Sequence, residues 1–425
     1  MIYTEYPLQE NVELLLKRPA ADVSQLEEKV AAIMRDVKAR GDDAVREYAK
    51  NFDNVEMDSF EINENHFLNA EKAIDENLKA AIRLAHANIV KFHSAQLKTE
   101  EKIEVMPGVT CWRESRAIDS VGLYVPGGTA PLFSTVLMLG VPAVLAGCKN
   151  IVLCTPPAKD GTIHPAIIYA AMLCGIKNIC AIGGVQAIAA MAYGTKTVPR
   201  VNKIFGPGNA YVTCAKQLLA KEGIAIDLPA GPSELAVYAD SSVNAAFVAA
   251  DLLSQAEHGT DSQVILVSTE KKIIQTILSE VEMQMEVLPR KEIAKEALKK
   301  SHAILVRDEK EVLKLLDAYA PEHLIFACAN AKQLAKRISN AGSVFIGEWS
   351  PESAGDYASG TNHTLPTNGS ARAWSGVSVD SFVKKITFQE LTKDGLKNIG
   401  PAVEAMAEAE GLFAHKNAVT IRLKQ

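Results

Sequence analysis

Seven cysteines are spread along this chain of 425 residues, and no two of them form a C-x-x-C pair. The odd count excludes a fully paired disulfide framework, and the spacing excludes the usual dithiol and thiolate-zinc motifs. In a chain this long they read as reduced, mostly buried thiols. Cys148 and Cys154 flank an apolar run with no histidine beside them, so they are expected to be structural. Positive charge is scarce too. Lys and Arg total 45 against 51 Asp and Glu, a formal net charge of -6, which gives no electrostatic case for nucleic acid or an anionic membrane. Stretches such as KEIAKEALKK are laced with Glu, as solvated helix faces are. The opening MIYTEYPLQE lacks a basic segment followed by an apolar one, so no secretory signal is expected. The longest apolar run, VLMLGVPAVLAGC, is too short to span a bilayer and contains Pro142. A cytoplasmic protein is expected.

The chain does carry enough apolar residues, 48%, for a globular protein, and its length calls for more than one core, since single cores stop growing near ~250–300 residues. Before residue 118 the signals are helical. SQLEEKVAAIMRDVKARG has apolar residues at helical spacing, with Ser24 as cap and Gly41 as stop. From about residue 118, short apolar runs alternate with helical stretches: SVGLYVPGG, NIVLCTPP, NICAIGG, KIFGPG and IAIDLPAGPS. Such alternation predicts a mainly parallel sheet covered on both faces. A second set follows in ELAVYAD, SQVILVS, HAILVRD, EHLIFAC and GSVFIG, and the helical segment before residue 118 is expected to pack with it. WSPESAGDYASGTNHTLPTNGSARAWSG reads as a long polar loop, and NAVTIRLK, alternating Val419, Ile421 and Leu423, as a closing strand.

Glycines gather where strands of the first set end, the edge at which open parallel sheets bind ligands. Tyr124, Gly127, Gly128, Gln186, Gly206, Gly208 and Asn209 are therefore expected on one rim. GPGNAY carries two glycines of the dinucleotide fingerprint, with Tyr211 where the third belongs and Asp227 near the distance of a ribose-binding acid. Four polar constellations stand in the second half. SQAEHG places Gln255 and His258 on one helical face; APEHL places Glu322 beside His323; GDYASGTNH carries Asp356 and His363; EGLFAHKN sets Glu410 and His415 around a helix stop. Imidazoles with carboxylates suit a borderline metal such as Zn²⁺, although each pattern alone also reads as a polar helix end or turn.

Taken in order, GLYVPGG, GGVQAIAA, FGPGN, PAGPSE, DLLSQAEHG, APEHL, WSPESAGDYASGTNH and AHKNAV resemble the L-histidinol dehydrogenase family, from roughly residue 25 to the end. The resemblance implies oxidation of L-histidinol to L-histidine through L-histidinal, with two NAD⁺ and one Zn²⁺. It makes Gln255, His258, Asp356 and His415 metal ligands that also face the substrate. His323 becomes the general base and Glu322 the activator of water, with Ser233, His323, His363 and Glu410 at the substrate and Tyr124, Gln186 and Asn209 at NAD⁺.

The implied architecture is α/β: two Rossmann-like domains with incomplete, mainly parallel sheets, a small N-terminal arm, and a C-terminal extension exchanged in a homodimer. The expected boundaries are an arm at 1–25, a first domain of 26–118 with 234–376, a second of 119–233, and a crossing segment at 377–425. Two other readings remain: a related NAD- and zinc-dependent dehydrogenase for another alcohol, and a zinc hydrolase, which would leave the rim unused and has no H-E-x-x-H helix. A non-catalytic binding protein would leave the His, Asp and Glu set unexplained.

Overall fold

The computed structural model describes residues 1–18, 24–57, 59–97, 100–127, 131–228 and 231–425. It is a mixed α/β protein built on two parallel sheets, as the alternation predicted. The smaller has five strands in the order Asn178–Ala181, Asn150–Thr155, Ser120–Tyr124, Lys203–Phe205 and Ala225–Ile226. The larger has six, in the order Ile2–Glu5, His302–Leu305, Gln263–Ser268, Glu234–Ala239, His323–Ala327 and Ser343–Ile346. Every pairing in both is parallel. The edge strand Ile2–Glu5 was not expected: four residues with Tyr at two nearby positions carry no strong period, and pairing with His302–Leu305 supplies what propensity does not.

The helices before residue 118 correct another expectation. From Ser24 on they pack on the smaller sheet's layer; only the short helix Val12–Leu15, among those described, packs against the core of the larger sheet. Helix Ser24–Arg40 lies on Gly184–Tyr193 and Ala210–Lys221, and helix Glu76–Ser94 lies on Phe133–Ala146. Their inner stripes are Val30, Met34 and Val37, and Ile82, Ala85 and Ile89, all buried. The physical reason was in the sequence. Helices Phe133–Ala146 and Gly184–Tyr193 are apolar almost all round, so one face meets the sheet and the other needs a second cover.

A third, antiparallel sheet joins Ile103–Met106 and Val109–Ala117 to Val383–Leu391 of the C-terminal segment. The expected closing strand is instead a helix, Phe413–Leu423. Val419 and Leu423, four apart, lie together against Gly400 of the preceding helix Lys393–Ala409, so the short alternation was one helical face sampled twice. The long polar stretch also holds structure, a helix at Glu352–Tyr357 and a 3₁₀ turn at Ser370–Arg372. No helix among the described residues is long and apolar enough to cross a membrane, and all seven cysteines are free thiols.

Candidate active site

Five of the expected residues meet at the amino edge of the larger sheet. Ser233 immediately precedes the strand Glu234–Ala239, Glu322 precedes the neighbouring strand, and His323 opens it. Helix Ala245–Ala256 returns from the far edge and ends here, bringing Gln255 in its last turn and His258 just beyond it. The turn continues through a bond from His258 N–H to the Gln255 carbonyl, 3.3 Å. A helix carboxyl end presents unpaired carbonyls and favours a cation. The smaller sheet faces this edge with its carboxyl side: Thr135, in the first turn of the helix after Tyr124, lies 3.1 Å from Nε2 of His363. His363 Nδ1–H donates to the Asp356 carbonyl at 2.9 Å.

His323 is buried, and its ring is oriented from both sides. Nδ1–H donates to the Glu234 carbonyl at 3.2 Å, which leaves the lone pair of the neutral ring on Nε2. Glu352 Oε1 stands 3.6 Å from Nδ1, Glu322 Oε2 3.7 Å from it, and Asp356 Oδ1 3.5 Å from Nε2. Burial lowers the basicity of the imidazole, but Glu352, Glu322 and Asp356 outweigh it and push its pKa up to about 10. Burial raises Glu322 to about 8 against the pull of His323, and Glu352 likewise to about 8. Burial works against ionisation of Asp356 too, but there His323 prevails and the carboxyl sits below its ordinary range.

The donor atoms fit a borderline divalent cation. His323, Glu352 and Asp356 each present one ligand atom within 4.8 Å of the other two. Among the described residues, five buried polar atoms on four residues here have no hydrogen-bond partner: Gln255 Oε1 and Nε2, His323 Nε2, Glu352 Oε2 and Asp356 Oδ1. Gln255 is wholly buried with both amide atoms unsatisfied, which costs free energy unless something else meets them. Helix Ala245–Ala256 packs on helix Glu352–Tyr357, and His258 interacts electrostatically with Asp356 and His323. Three carboxylates around one imidazole leave the cluster short of positive charge, and nitrogen with oxygen donors is a set that zinc accepts.

On the smaller sheet the carboxyl ends of Ser120–Tyr124 and Lys203–Phe205 adjoin at the point where strand order reverses, the place where such sheets hold ligands. Gly206 sits there at φ 125°, and any Cβ would fall 2.0 Å from the Tyr124 carbonyl oxygen. Tyr124 Oη accepts from Gly184 N–H at 3.0 Å; Gln186 is buried, its Oε1 without a partner among the described residues; Asn209 caps helix Ala210–Lys221. Gly127 packs against Pro156, and Gly128 lies outside the described residues. Asp227, which the two-glycine fingerprint nominated for a ribose, is already engaged by buried Lys216 and by Gly206 N–H.

The comparisons agree over the full chain. The histidinol dehydrogenase family model matches residues 16–423. The chain belongs to this family. It is 58% identical over 419 residues to the histidinol dehydrogenase of Bacteroides thetaiotaomicron, covering 99% of this chain and 98% of that one. With the Bacteroides fragilis enzyme of the same name it shares 57% over 421 residues, 99% and 98% of the two chains. The crystal structure of histidinol dehydrogenase from Elizabethkingia anophelis superposes with a TM-score of 0.98 at 53% identity, covering 100% of this chain and 98% of that one.

As a member of the histidinol dehydrogenase family the chain is an oxidoreductase. Within one chain of this family member, the site does not include Glu410 or His415. Both are exposed on the hairpin of helices Lys393–Ala409 and Phe413–Leu423, Glu410 capping the first and His415 in the second. Asp356, expected in a loop, lies in helix Glu352–Tyr357, one turn after Glu352. Sequence reasoning missed Glu352 and Asp251. Glu352 is 1% exposed; Asp251 is buried one turn before Gln255, and burial raises its pKa to about 7. The signal for both was a four-residue spacing to a nominated residue.

Proposed function

We propose that this chain oxidises L-histidinol to L-histidine by way of L-histidinal, in two successive hydride transfers to NAD⁺, as the last steps of histidine biosynthesis. The observation that carries the reading is the set of unpartnered buried donors on Gln255, His323, Glu352 and Asp356, gathered where the catalytic pair stands. A neighbouring alcohol remains the second reading.

Gln255, His258, Asp356 and His415 would hold a zinc ion, the last from a second subunit. When bound, zinc supplies a Lewis acid able to take the imidazole and amino nitrogens of the substrate, a positioning contribution. Tyr124, Gln186 and Asn209 would hold NAD⁺, the hydride acceptor, at the rim where Gln186 Oε1 has no partner.

His323 in its neutral form takes the hydroxyl proton at Nε2, because the Glu234 carbonyl holds the proton of Nδ1; the pKa near 10 belongs to the metal-free site, and zinc bound beside the ring would lower it. The imidazolium that results is stabilised by Glu352 and Glu322 on the Nδ1 side. Glu322, titrating near 8, is poised to take a proton from the water that hydrates the aldehyde. His323 serves again as base in the second oxidation. Ser233, His363 and Glu410 contact the substrate, with Glu410 crossing from the partner of a homodimer. The chain is assigned to the cytoplasm.

The test is the NADH formed per L-histidinol consumed, at limiting substrate and excess NAD⁺ with zinc-loaded protein. Two per substrate is expected. One would mean that the aldehyde escapes and would remove Glu322 from its role. None, with metal bound, would favour the other alcohol.

A further inference from the structure

Glu234 is 2% exposed and opens one of the two central strands of the larger sheet. Its main chain holds both members of the catalytic pair. The N–H donates to Glu322 Oε2 at 2.9 Å, and the carbonyl accepts from His323 Nδ1 at 3.2 Å. Its carboxylate is held in turn by Arg18, through Nε at 2.5 Å and Nη2 at 2.8 Å, and by Asn368 N–H at 2.8 Å.

Arg18 comes from the N-terminal arm, 216 residues away in sequence. Its Nη2 also donates to the Tyr319 carbonyl at 2.6 Å, and the guanidinium lies 4.1 Å over the Tyr319 ring. Tyr319 closes helix Glu309–Tyr319. Ala320 follows in the left-handed region at φ 50°, a conformation that alanine holds only when its surroundings impose it, and Pro321 leads into Glu322 and His323. Tyr319 Oη donates to Gln263 Oε1 at 2.9 Å, and Gln263 pairs with Glu234 across the sheet. One planar fork thus ties the segment that carries the pair to the strand end that orients it. An ammonium cannot match that geometry.

We propose that Arg18 is a positioning residue for Glu322 and His323, acting through the backbone of Glu234 and the turn at Tyr319–Ala320. The proposal rests on the reading of Glu322 and His323 as the catalytic pair. Ground-state binding of substrate is left to other groups, so loss of the clamp reduces turnover and not affinity.

The experiment compares Arg18→Lys, Arg18→Met and the double variant Arg18→Met, Glu234→Gln, which removes the unpaired buried carboxylate and so keeps a foldable protein without the clamp. In zinc-loaded protein, kcat with L-histidinol is expected to fall roughly 10- to 100-fold in all three, as displacement of a catalytic group by about 1 Å does, with KM within about twofold. A folded variant with the kcat of the parent overturns the proposal, as does a kcat restored in the double variant, which would make the role one of stability. A second readout is independent of turnover: the ¹⁵N-histidine spectrum of the protein, with the Nδ1–H signal of His323 assigned by its loss in His323→Gln. The hydrogen-bonded Nδ1–H signal is expected to weaken or vanish in Arg18→Lys and in the double variant. Its persistence in both overturns the proposal even if the parent oxidises no histidinol, which would sink the functional reading instead.

Discussion

Glu352 Oε1 lies 3.6 Å from Nδ1 of His323, and both side chains are buried at the amino edge of the six-stranded sheet. A carboxylate in that position favours the imidazolium. Replacing it by an amide removes the foremost of the influences that raise the His323 pKa. In metal-free protein His323 is expected to titrate near 10, and in Glu352→Gln at a distinctly lower pH. The sign is fixed by charge: less negative potential, weaker hold on the proton. Imidazole ¹⁵N shifts followed across pH check it, and an unchanged midpoint would refute the coupling.

Zinc removal is expected to lower thermal stability and abolish turnover, and re-addition to restore both. Asp356→Asn should weaken zinc binding by no less than the ~10-fold that loss of an outer partner costs. Metal content after dialysis against a buffered chelator, read by mass spectrometry, measures this. Parent-like retention would remove Asp356 from the ligand set.

Glu410 and His415 stand exposed and apart from the rest in a single chain. If they complete a partner's site, His323→Ala and His415→Ala chains are each inactive but, after subunit exchange, recover about a quarter of parental activity, because half of the dimers carry one intact site. No recovery with exchange verified by mass would mean that the sites are not shared between subunits.

Lys216 and Asp227 form a buried ion pair. Lys216→Met strands a buried charge and is expected to cost about 3–5 kcal/mol of stability, most of it returned by adding Asp227→Asn. Denaturant unfolding reads both. The double variant should bind NAD⁺ with an affinity within about twofold of the parent, since Asp227 is occupied by Lys216 and Gly206, not by a ribose. A large loss of affinity would return Asp227 to the cofactor.

Most strands of both main sheets were legible because they are largely buried, so their apolar runs stand clear between Gly and Pro. Ile2–Glu5 escaped notice because only one of its edges is paired, and Val383–Leu391 because its residues are mostly exposed. Phe413–Leu423 was misread because three alternating apolar residues satisfy either period. At the site, Gln255, Glu322, His323 and Asp356 were named from motifs that resemble a family; composition and spacing alone left them as polar helix ends and turns. Glu352 was hidden in a segment read as loop, where a four-residue spacing carries no meaning until a helix forms. Arg18 was out of reach in principle: nothing local marks a residue whose partners lie 216 and 301 positions away.

Because the candidate site residues gather at the amino edge of the larger sheet, the turns that leave its opposite edge are spare ground. The chain passes there after Ala239, Ser268 and Leu305, a strand's length from His323. Those turns can lengthen, shorten or accept a grafted peptide without moving a reacting group. The amino-side junctions at Ser233 and Pro321 have no such freedom. Evolutionary drift and the protein engineer therefore meet the same asymmetry in this sheet, one permissive margin and one in which a single inserted residue would pull Glu322 and His323 out of register.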